Sequence, residues 1–409
     1  MQGHPNPARN PAQNNVVIVG GGFGGLYTAL ALAQRKQHPP VLLIEPNDRF
    51  LFLPLLYELL SGELRGWEIA PRYDGLLAGR GLAWLQDRVE RIDADGHRLH
   101  TAGGRTIPYG RLVIATGAES NTFAVPGADR HCLGFRSLAD VERLQRLLAE
   151  LRQQRRPLQR IAVVGAGPTG VELACKLADM AEGSAVIELI EQGPQLLRQA
   201  RAFNREQAAL ALRRRDVRLR TRTQVEAVEA EAITLRCQPD GDSPAHVETL
   251  AVRAVVWTAG LSFRAPRIDP APACDGRGRL LCGPDLRLLE HADLFVAGDL
   301  AAPVDPEDTA VEGPGPGAPS TAQVAFQQAP VLAANLIRSL AGEPLEPFHW
   351  KDLGEMMSLG VGEASLTGSG VTLAGPAAYQ LRRLAYLTRL PGRSHQLRVA
   401  AGWLADWTP

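Results

Sequence analysis

The chain has 409 residues, 45% hydrophobic and 22% charged, with 44 Lys+Arg set against 44 Asp+Glu. That length predicts two or three domains, and the composition is that of a folded protein, not a disordered one. The zero formal net charge provides no global basic field, so nucleic acid is excluded as an expected partner.

Residues 1–14 are rich in Pro and Asn without an apolar core, so they read as a disordered lead-in and not as a signal peptide. Val16–Val19 predicts a short strand that runs into a glycine turn, residues 20–25, and then a helix over 26–34. Val41–Ile44 predicts the next strand, ending at Glu45. This is a βαβ unit, and its unbroken apolar runs suit parallel strands covered on both faces. A strand over 112–114 leads into Ala115-Thr116-Gly117, a helix follows over 138–151, and 152–156 reads as a basic linker. The βαβ pattern then recurs, with a strand over 161–164, a turn over 165–170, a helix over 171–180 and a strand over 186–190, ending at Glu191.

Further on, Ala254–Trp257 leads into Thr258-Ala259-Gly260, and Leu294–Val296 into Ala297-Gly298-Asp299. Residues 303–319 are rich in Pro, Gly and acid and read as a long exposed loop. A helix is predicted over 322–340, strands with glycine turns over 348–366, and a basic helical tail from Pro376. No stretch approaches the roughly 20 apolar residues of a membrane span, so any membrane contact is made from the surface.

The elements define an α/β fold with two Rossmann-like dinucleotide-binding domains, the second inserted in the first, plus a C-terminal membrane-associating segment. The expected ranges are 15–120 with 292–345 for the first domain, 121–291 for the second, and 346–409 for the C-terminal segment.

Each βαβ unit carries a G-x-G-x-x-G turn, Gly20/Gly22/Gly25 in the first and Gly165/Gly167/Gly170 in the second. The first glycine permits a tight turn, the second lets backbone approach a pyrophosphate, and the third lets helix and strand pack closely. The helix N-terminus then faces the phosphates with N–H groups and a positive dipole end. Glu45 lies 20 residues after Gly25 and Glu191 lies 21 after Gly170, where a carboxylate accepts a ribose hydroxyl. Two complete motifs argue for two bound dinucleotides. Glu191 favours NADH, because its charge repels a 2′-phosphate, while nearby Arg198 and Arg201 soften that rejection and keep NADPH open.

The five cysteines, Cys132, Cys175, Cys237, Cys274 and Cys282, form no C-x-x-C pair. No disulfide or zinc framework is expected, and scattered thiols suit a reducing compartment. The histidines provide no metal-ligand spacing and no Ser/His/Asp triad, so no metal is expected.

On these residues the sequence resembles the two-dinucleotide-binding flavoprotein superfamily over about residues 15–345. The shared features are both glycine turns with their acids, Thr116-Gly117, Gly260 and Gly298-Asp299. The order along the chain assigns the first turn to FAD and the second to NADH or NADPH. The resemblance places Asp299 by the FAD ribityl chain.

Within that superfamily the chain is similar to the type II NAD(P)H:quinone dehydrogenases. Leu53-Pro54-Leu55-Leu56-Tyr57-Glu58 resembles their segment after the first ribose acid. Gly170-Val171-Glu172 resembles their second turn, with Glu172 near the nicotinamide. Thr321-Ala322-Gln323 through Gln327-Gln328 resembles the helix that runs under the flavin and lines the quinone pocket. Gln323 and Gln327 sit one helical turn apart on one face, where amides can hydrogen-bond quinone carbonyls without adding charge. Residues 351–360 resemble the family's C-terminal segment, with Leu353 where many relatives carry Lys. That variant resembles the branch that reduces demethylphylloquinone, a naphthoquinone. Two other branches of the superfamily are disfavoured by missing thiols: disulfide reductases carry a redox Cys pair soon after the first ribose acid, but residues 45–62 hold no Cys, and sulfide:quinone reductases need a thiol late in the chain, but none follows Cys282.

The tail interleaves Leu381, Leu384, Tyr386, Leu387 and Leu390 with Arg382, Arg383, Arg389, Arg393 and Arg398, and ends in Trp403 and Trp407. Apolar residues on one face and Arg on the other suit an interfacial helix pair, with a helix packed on its own domain or on a dimer partner as the alternative. The resemblance therefore implies a peripheral enzyme on the cytoplasmic side of a membrane. It moves hydride from NAD(P)H to FAD, then two electrons to a membrane quinone. Glu172 acts on the nicotinamide side, and Gln323 and Gln327 orient the quinone. Two other readings of the sequence are a soluble reductase of an iron–sulfur protein and a non-catalytic redox sensor.

Overall fold

A computed structural model describes residues 14–154, 159–238, 244–304, 319–368 and 370–405. The expected lead-in, the end of the basic linker, most of the acidic 303–319 loop and Trp407 lie outside the described residues. By contacts the chain divides into two compact units. The first comprises residues 1–50, 71–119 and 262–351, and the second comprises 51–70, 120–261 and 352–409.

The first unit is built on a five-stranded parallel sheet in the order Leu294–Val296, Arg111–Ile114, Val16–Val19, Val41–Ile44, Leu82–Leu85. Val16–Val19 pairs in register with both neighbours, Val16 opposite Val41 on one side and Arg111 on the other. Every residue of Val16–Val19 is buried, as a strand covered on both faces requires. The helix Phe23–Ala33 makes the crossover and packs against the helix Ala322–Ala341. The chain order reverses beside Val16–Val19, which is where open α/β sheets place a ligand crevice. A smaller sheet adds Val89–Asp93, Arg98–Thr101 and Thr106–Pro108 as an antiparallel run, with Arg267–Asp269 parallel to its edge.

The second unit repeats the plan, with a parallel sheet in the order Arg218–Arg220, Ala185–Ile190, Gln159–Val164, Ala254–Trp257, Cys132–Leu133. Its crossover helix is Pro168–Ala181. Beside it lies an antiparallel sheet of Thr223–Val228, Ala232–Cys237 and His246–Ala251. Ile233 and Leu235 are fully buried in a core shared with Val225, Val228, Val255 and Trp257. The C-terminal part forms a three-stranded sheet, Glu355–Ser358, Ala364–Gly368 and Val371–Gly375, followed by helices Pro376–Leu387 and Arg393–Ala405.

The expected elements differ from the structure at particular ends. The first crossover helix begins at Phe23, inside the glycine turn, because glycine at 24 and 25 lets the helix start against the strand. The helix Leu138–Gln154 continues into the segment read as a linker. Residues 348–354 are not strand, and pairing starts at Glu355. No helix among the described residues is long and apolar enough to cross a membrane.

Candidate cofactor and active site

The two glycine turns are built alike, atom by atom. Gly20 and Gly165 adopt φ of +99° and +100°, a left-handed region that side chains rarely enter. A Cβ on Gly25 would lie 1.9 Å from the Gly20 carbonyl oxygen, and one on Gly170 would lie 1.8 Å from that of Gly165. The third glycine thus lets helix and strand close. The second glycine behaves differently: a Cβ on Gly22 or on Gly167 would meet no heavy atom within 4 Å. Packing does not explain glycine there, but close approach of a ligand does. Gly22 and Gly167 are also the N-caps of their helices, and neither helix has a side-chain cap at that end. The N–H groups of the first turn are therefore left for an anion.

The two acids are held in the same way. The Glu45 carboxylate accepts hydrogen bonds from Gly21 N at 2.7 Å and Asn47 N at 3.0 Å. The Glu191 carboxylate accepts from Ala166 N at 2.8 Å and Gly193 N at 2.7 Å. In each unit the acid is bonded to the residue between the first two glycines. This closure fixes the carboxylate beside the turn, which the spacing alone did not show. The residues present fit a pyrophosphate with a ribose diol in each unit.

The flanking turns support these sites. Thr116 donates to Arg264 O at 3.2 Å and Gly117 has φ +71°. Thr258 donates to Val164 O at 2.8 Å, and Gly260 has φ +73°. Asp299 lies in a 3-10 turn over Gly298–Leu300, whose first N–H donates to Gln328 Oε1 at 2.8 Å. Gln328 is buried and was not singled out from the sequence. Ala322 is the first residue of its helix, and the Thr321 hydroxyl caps it by accepting from Val324 N. Gln323 lies one residue further on, in the first turn of that helix. Gln327 is engaged at both amide atoms: Nε2 donates to Lys351 O at 2.9 Å and Oε1 accepts from Lys351 N at 3.1 Å. Arg201 is paired with Asp352 at 2.5 Å, and Arg198 is exposed.

Glu172 sits on the helix Pro168–Ala181 at 7% exposure. Its Oε1 accepts from Ser358 N at 2.6 Å. Burial pushes its carboxyl up to about 7, against the lowering effect of Arg382 and the Ser358 N–H. Tyr57 hydrogen-bonds Glu172 and Thr169, and burial pushes its phenol well up as well.

Arg382 corrects an expectation. Counted among the headgroup-facing arginines of the tail, it is instead buried at 1% exposure. Its guanidinium bonds Glu58 Oε1 and the Pro54 carbonyl, stacks on Tyr386, and lies 3.8 Å from Glu172 Oε1. A second ion pair in the same unit joins the buried Lys176 to the half-buried Glu63. Arg383 stacks on Trp403 at 4.2 Å, and the Trp403 indole donates to Glu68.

Two parallel sheets, each with a glycine turn closed by an acid, define an oxidoreductase of the two-dinucleotide class. A family model described as pyridine nucleotide-disulphide oxidoreductase matches residues 14–329. The chain is 37% identical to a demethylphylloquinone reductase of Synechocystis sp., covering 97% of this chain and 98% of the relative. It is 30% identical to a type II NADH:quinone oxidoreductase of Mycobacterium tuberculosis, covering 97% and 88%. Its fold matches the solved structure of NDH2 from Plasmodium falciparum in complex with NADH, with a TM-score of 0.81 at 18% identity, over 97% and 99%. The chain belongs to the pyridine nucleotide-disulphide oxidoreductase family, among its type II NAD(P)H:quinone dehydrogenases. The family's name notwithstanding, all five cysteines are free.

Proposed function

We propose that this chain is an FAD-dependent NAD(P)H:quinone oxidoreductase acting on a naphthoquinone of the demethylphylloquinone kind. The observation that carries the reading is the pair of like-built turns, Gly20–Glu45 and Gly165–Glu191, in a chain related end to end to quinone reductases. The first unit is then the FAD-binding domain and the second, whose central stretch interrupts it, the NAD(P)H-binding domain. FAD supplies the two-electron chemistry that links nicotinamide to quinone.

The protein's own groups bind, orient and hold protons. Glu45 accepts from one ribose and Glu191 from the other, and the fixed charge of Glu191 favours NADH over NADPH. Asp299 holds the ribityl side. Reduction of a quinone to quinol takes up two electrons and two protons, of which the hydride supplies both electrons and one proton. Glu172 orders the nicotinamide side and, with its carboxyl near 7, carries an exchangeable proton at neutral pH. Gln323 and Gln327 orient the quinone carbonyls, Gln327 with its amide set by the Lys351 backbone.

The tail helices leave Leu381, Leu384, Leu397 and Leu404 exposed at 46%, 56%, 71% and 67%. These leucines, with Arg389, Arg393 and Arg398 close by, support peripheral attachment to the cytoplasmic face of a membrane, where a lipid-soluble quinone is collected. A homodimer through this surface is the competing occupant.

The test is steady-state turnover with NADH and NADPH against a benzoquinone and a naphthoquinone panel. Fastest turnover with NADH and a naphthoquinone is expected. Reoxidation by an iron–sulfur protein but by no quinone would turn the reading to a soluble reductase. Slow turnover with every acceptor, alongside normal FAD and NADH binding, would turn it to a redox sensor.

A further inference from the structure

The antiparallel sheet of the second unit gathers three metal-ligating side chains that neither cofactor turn uses. Cys237 ends the strand Ala232–Cys237 and stands directly opposite His246 in the register of the hairpin. Glu248 follows His246 by two residues. Cross-strand partners share a face, and so do residues two apart on a strand. The pleat therefore sends the Cys237 thiol, the His246 imidazole and the Glu248 carboxylate to one side. On that side the row begins with Ile233 and Leu235, which are fully buried, and ends at Cys237, where the core gives way to solvent. One ligand atom from each residue lies within 4.8 Å of the others.

We propose that this end of the sheet is a zinc site with Cys237, His246 and Glu248 as ligands and a fourth position open to water. A thiolate with an imidazole selects a borderline-soft ion over Mg²⁺ or Ca²⁺. Zn–S near ~2.3 Å and Zn–N or Zn–O near ~2.0–2.2 Å place tetrahedral donors about 3.5 Å apart, and the Cys237 sulfur already stands 3.3 Å from Glu248 Oε1. His246, which is exposed, has room to turn its imidazole onto the same point.

The outer groups fit as well. Glu248 Oε1 accepts from the Cys237 thiol at 3.3 Å and from Arg220 Nη1 at 2.7 Å. Ligating carboxylates are commonly hydrogen-bonded in this way. Arg220 does not oppose the ion as a bare charge, because its Nε donates to the buried Glu188 at 2.8 Å. Thr223, paired with Cys237 across the sheet, lies with its hydroxyl 3.9 Å from the sulfur. Zinc takes cysteine as the thiolate. Binding then breaks the S–H bond, forms S–Zn, and releases one proton to solvent. The ion would clip the two strands together at the loop end of the hairpin, where Cys237 and His246 pair. The spacing C-x8-H-x-E matches no familiar zinc motif, which is why the sequence did not display it.

The experiment uses the full chain with FAD bound, stripped with a chelator and titrated with Zn²⁺ by calorimetry in two buffers of different ionisation enthalpy. Expected are one equivalent bound at micromolar zinc, about one proton released, and a zinc absorption edge fitting one sulfur among nitrogen and oxygen ligands. Cys237→Ser and His246→Ala should each weaken binding at least about tenfold. Cys274→Ser, at an exposed thiol elsewhere in the chain, should leave binding unchanged. His246 is exposed, so its replacement tests the site without disturbing the core, and FAD content checks the fold of each variant. No stoichiometric binding at micromolar zinc overturns the proposal, and so does binding that His246→Ala leaves unaltered.

Discussion

Arg382 and Glu58 lie 324 positions apart in the chain and form a buried ion pair, at 1% and 0% exposure. The pair ties the helix Pro376–Leu387 to the helix Leu56–Leu60 and leaves Glu58 Oε2 without a hydrogen-bond partner among the described residues. Glu172, 3.8 Å from the same guanidinium, shares its charge. One cation thus serves two buried carboxylates.

Arg382→Leu should therefore destabilise the protein strongly, by about 3–5 kcal/mol, because it leaves Glu58 buried and uncompensated. Adding Glu58→Leu should recover most of that loss. Denaturant unfolding of the single and double variants measures both. A cost below about 1 kcal/mol for the single change would show the pair to be far weaker than its burial implies.

Stability should fall as pH rises through the range in which Glu172 ionises. Its carboxyl is raised to about 7, so the folded chain holds a proton that the unfolded chain gives up at the usual carboxyl range. The folded state then binds more protons between the two, and the group's contribution is complete below that window and lost as pH passes about 7. The loss is on the order of 3 kcal/mol. Glu172→Gln should flatten this slope in unfolding midpoints recorded from about pH 5 to about pH 8. A slope unchanged by the substitution would assign the dependence to another group.

The second and third glycines of the turns should separate ligand binding from folding. Gly22→Ala meets no protein atom within 4 Å at an ordinary φ of −69°. It should leave stability within about 1 kcal/mol of the parent yet lower FAD retention. Gly25→Ala would press on the Gly20 carbonyl at 1.9 Å and should impair folding itself. Apoprotein melting and FAD titration read the two effects. Equal behaviour of the two variants would mean that Gly22 is not a ligand contact.

Gln323→Leu with Gln327→Leu should slow reoxidation of the flavin by quinone at least about tenfold and leave its reduction by NADH nearly unchanged. Gln327→Leu alone should also cost about 1–2 kcal/mol, since the Lys351 backbone loses both partners. Stopped-flow traces of the two half-reactions decide. Equal slowing of both would remove these glutamines from the quinone side.

Replacing the four exposed leucines Leu381, Leu384, Leu397 and Leu404 by Gln should release the protein from anionic liposomes. Flotation assays measure this. Undiminished binding, or a change of oligomeric state instead, would return the tail to a protein–protein surface.

By itself the sequence determined the two strand–turn–helix units, their acids and the absence of a cysteine pair after Glu45. These features are local: a glycine turn imposes its conformation within six residues, and an apolar run of four declares a strand covered on both faces. It also placed Glu172, Gln323 and Gln327 on helices that the structure contains. Only the tertiary structure decided what those side chains touch. It closed Glu45 onto Gly21 and Glu191 onto Ala166, turned Gln327 onto Lys351, and drew Arg382 out of the tail's polar face into the interior. It also set Cys237, His246 and Glu248 on one side of a sheet. The reason is physical: an arginine in an amphipathic pattern reads as solvent-facing until a buried carboxylate from a distant segment stands within reach, and helical or strand spacing carries no trace of that partner.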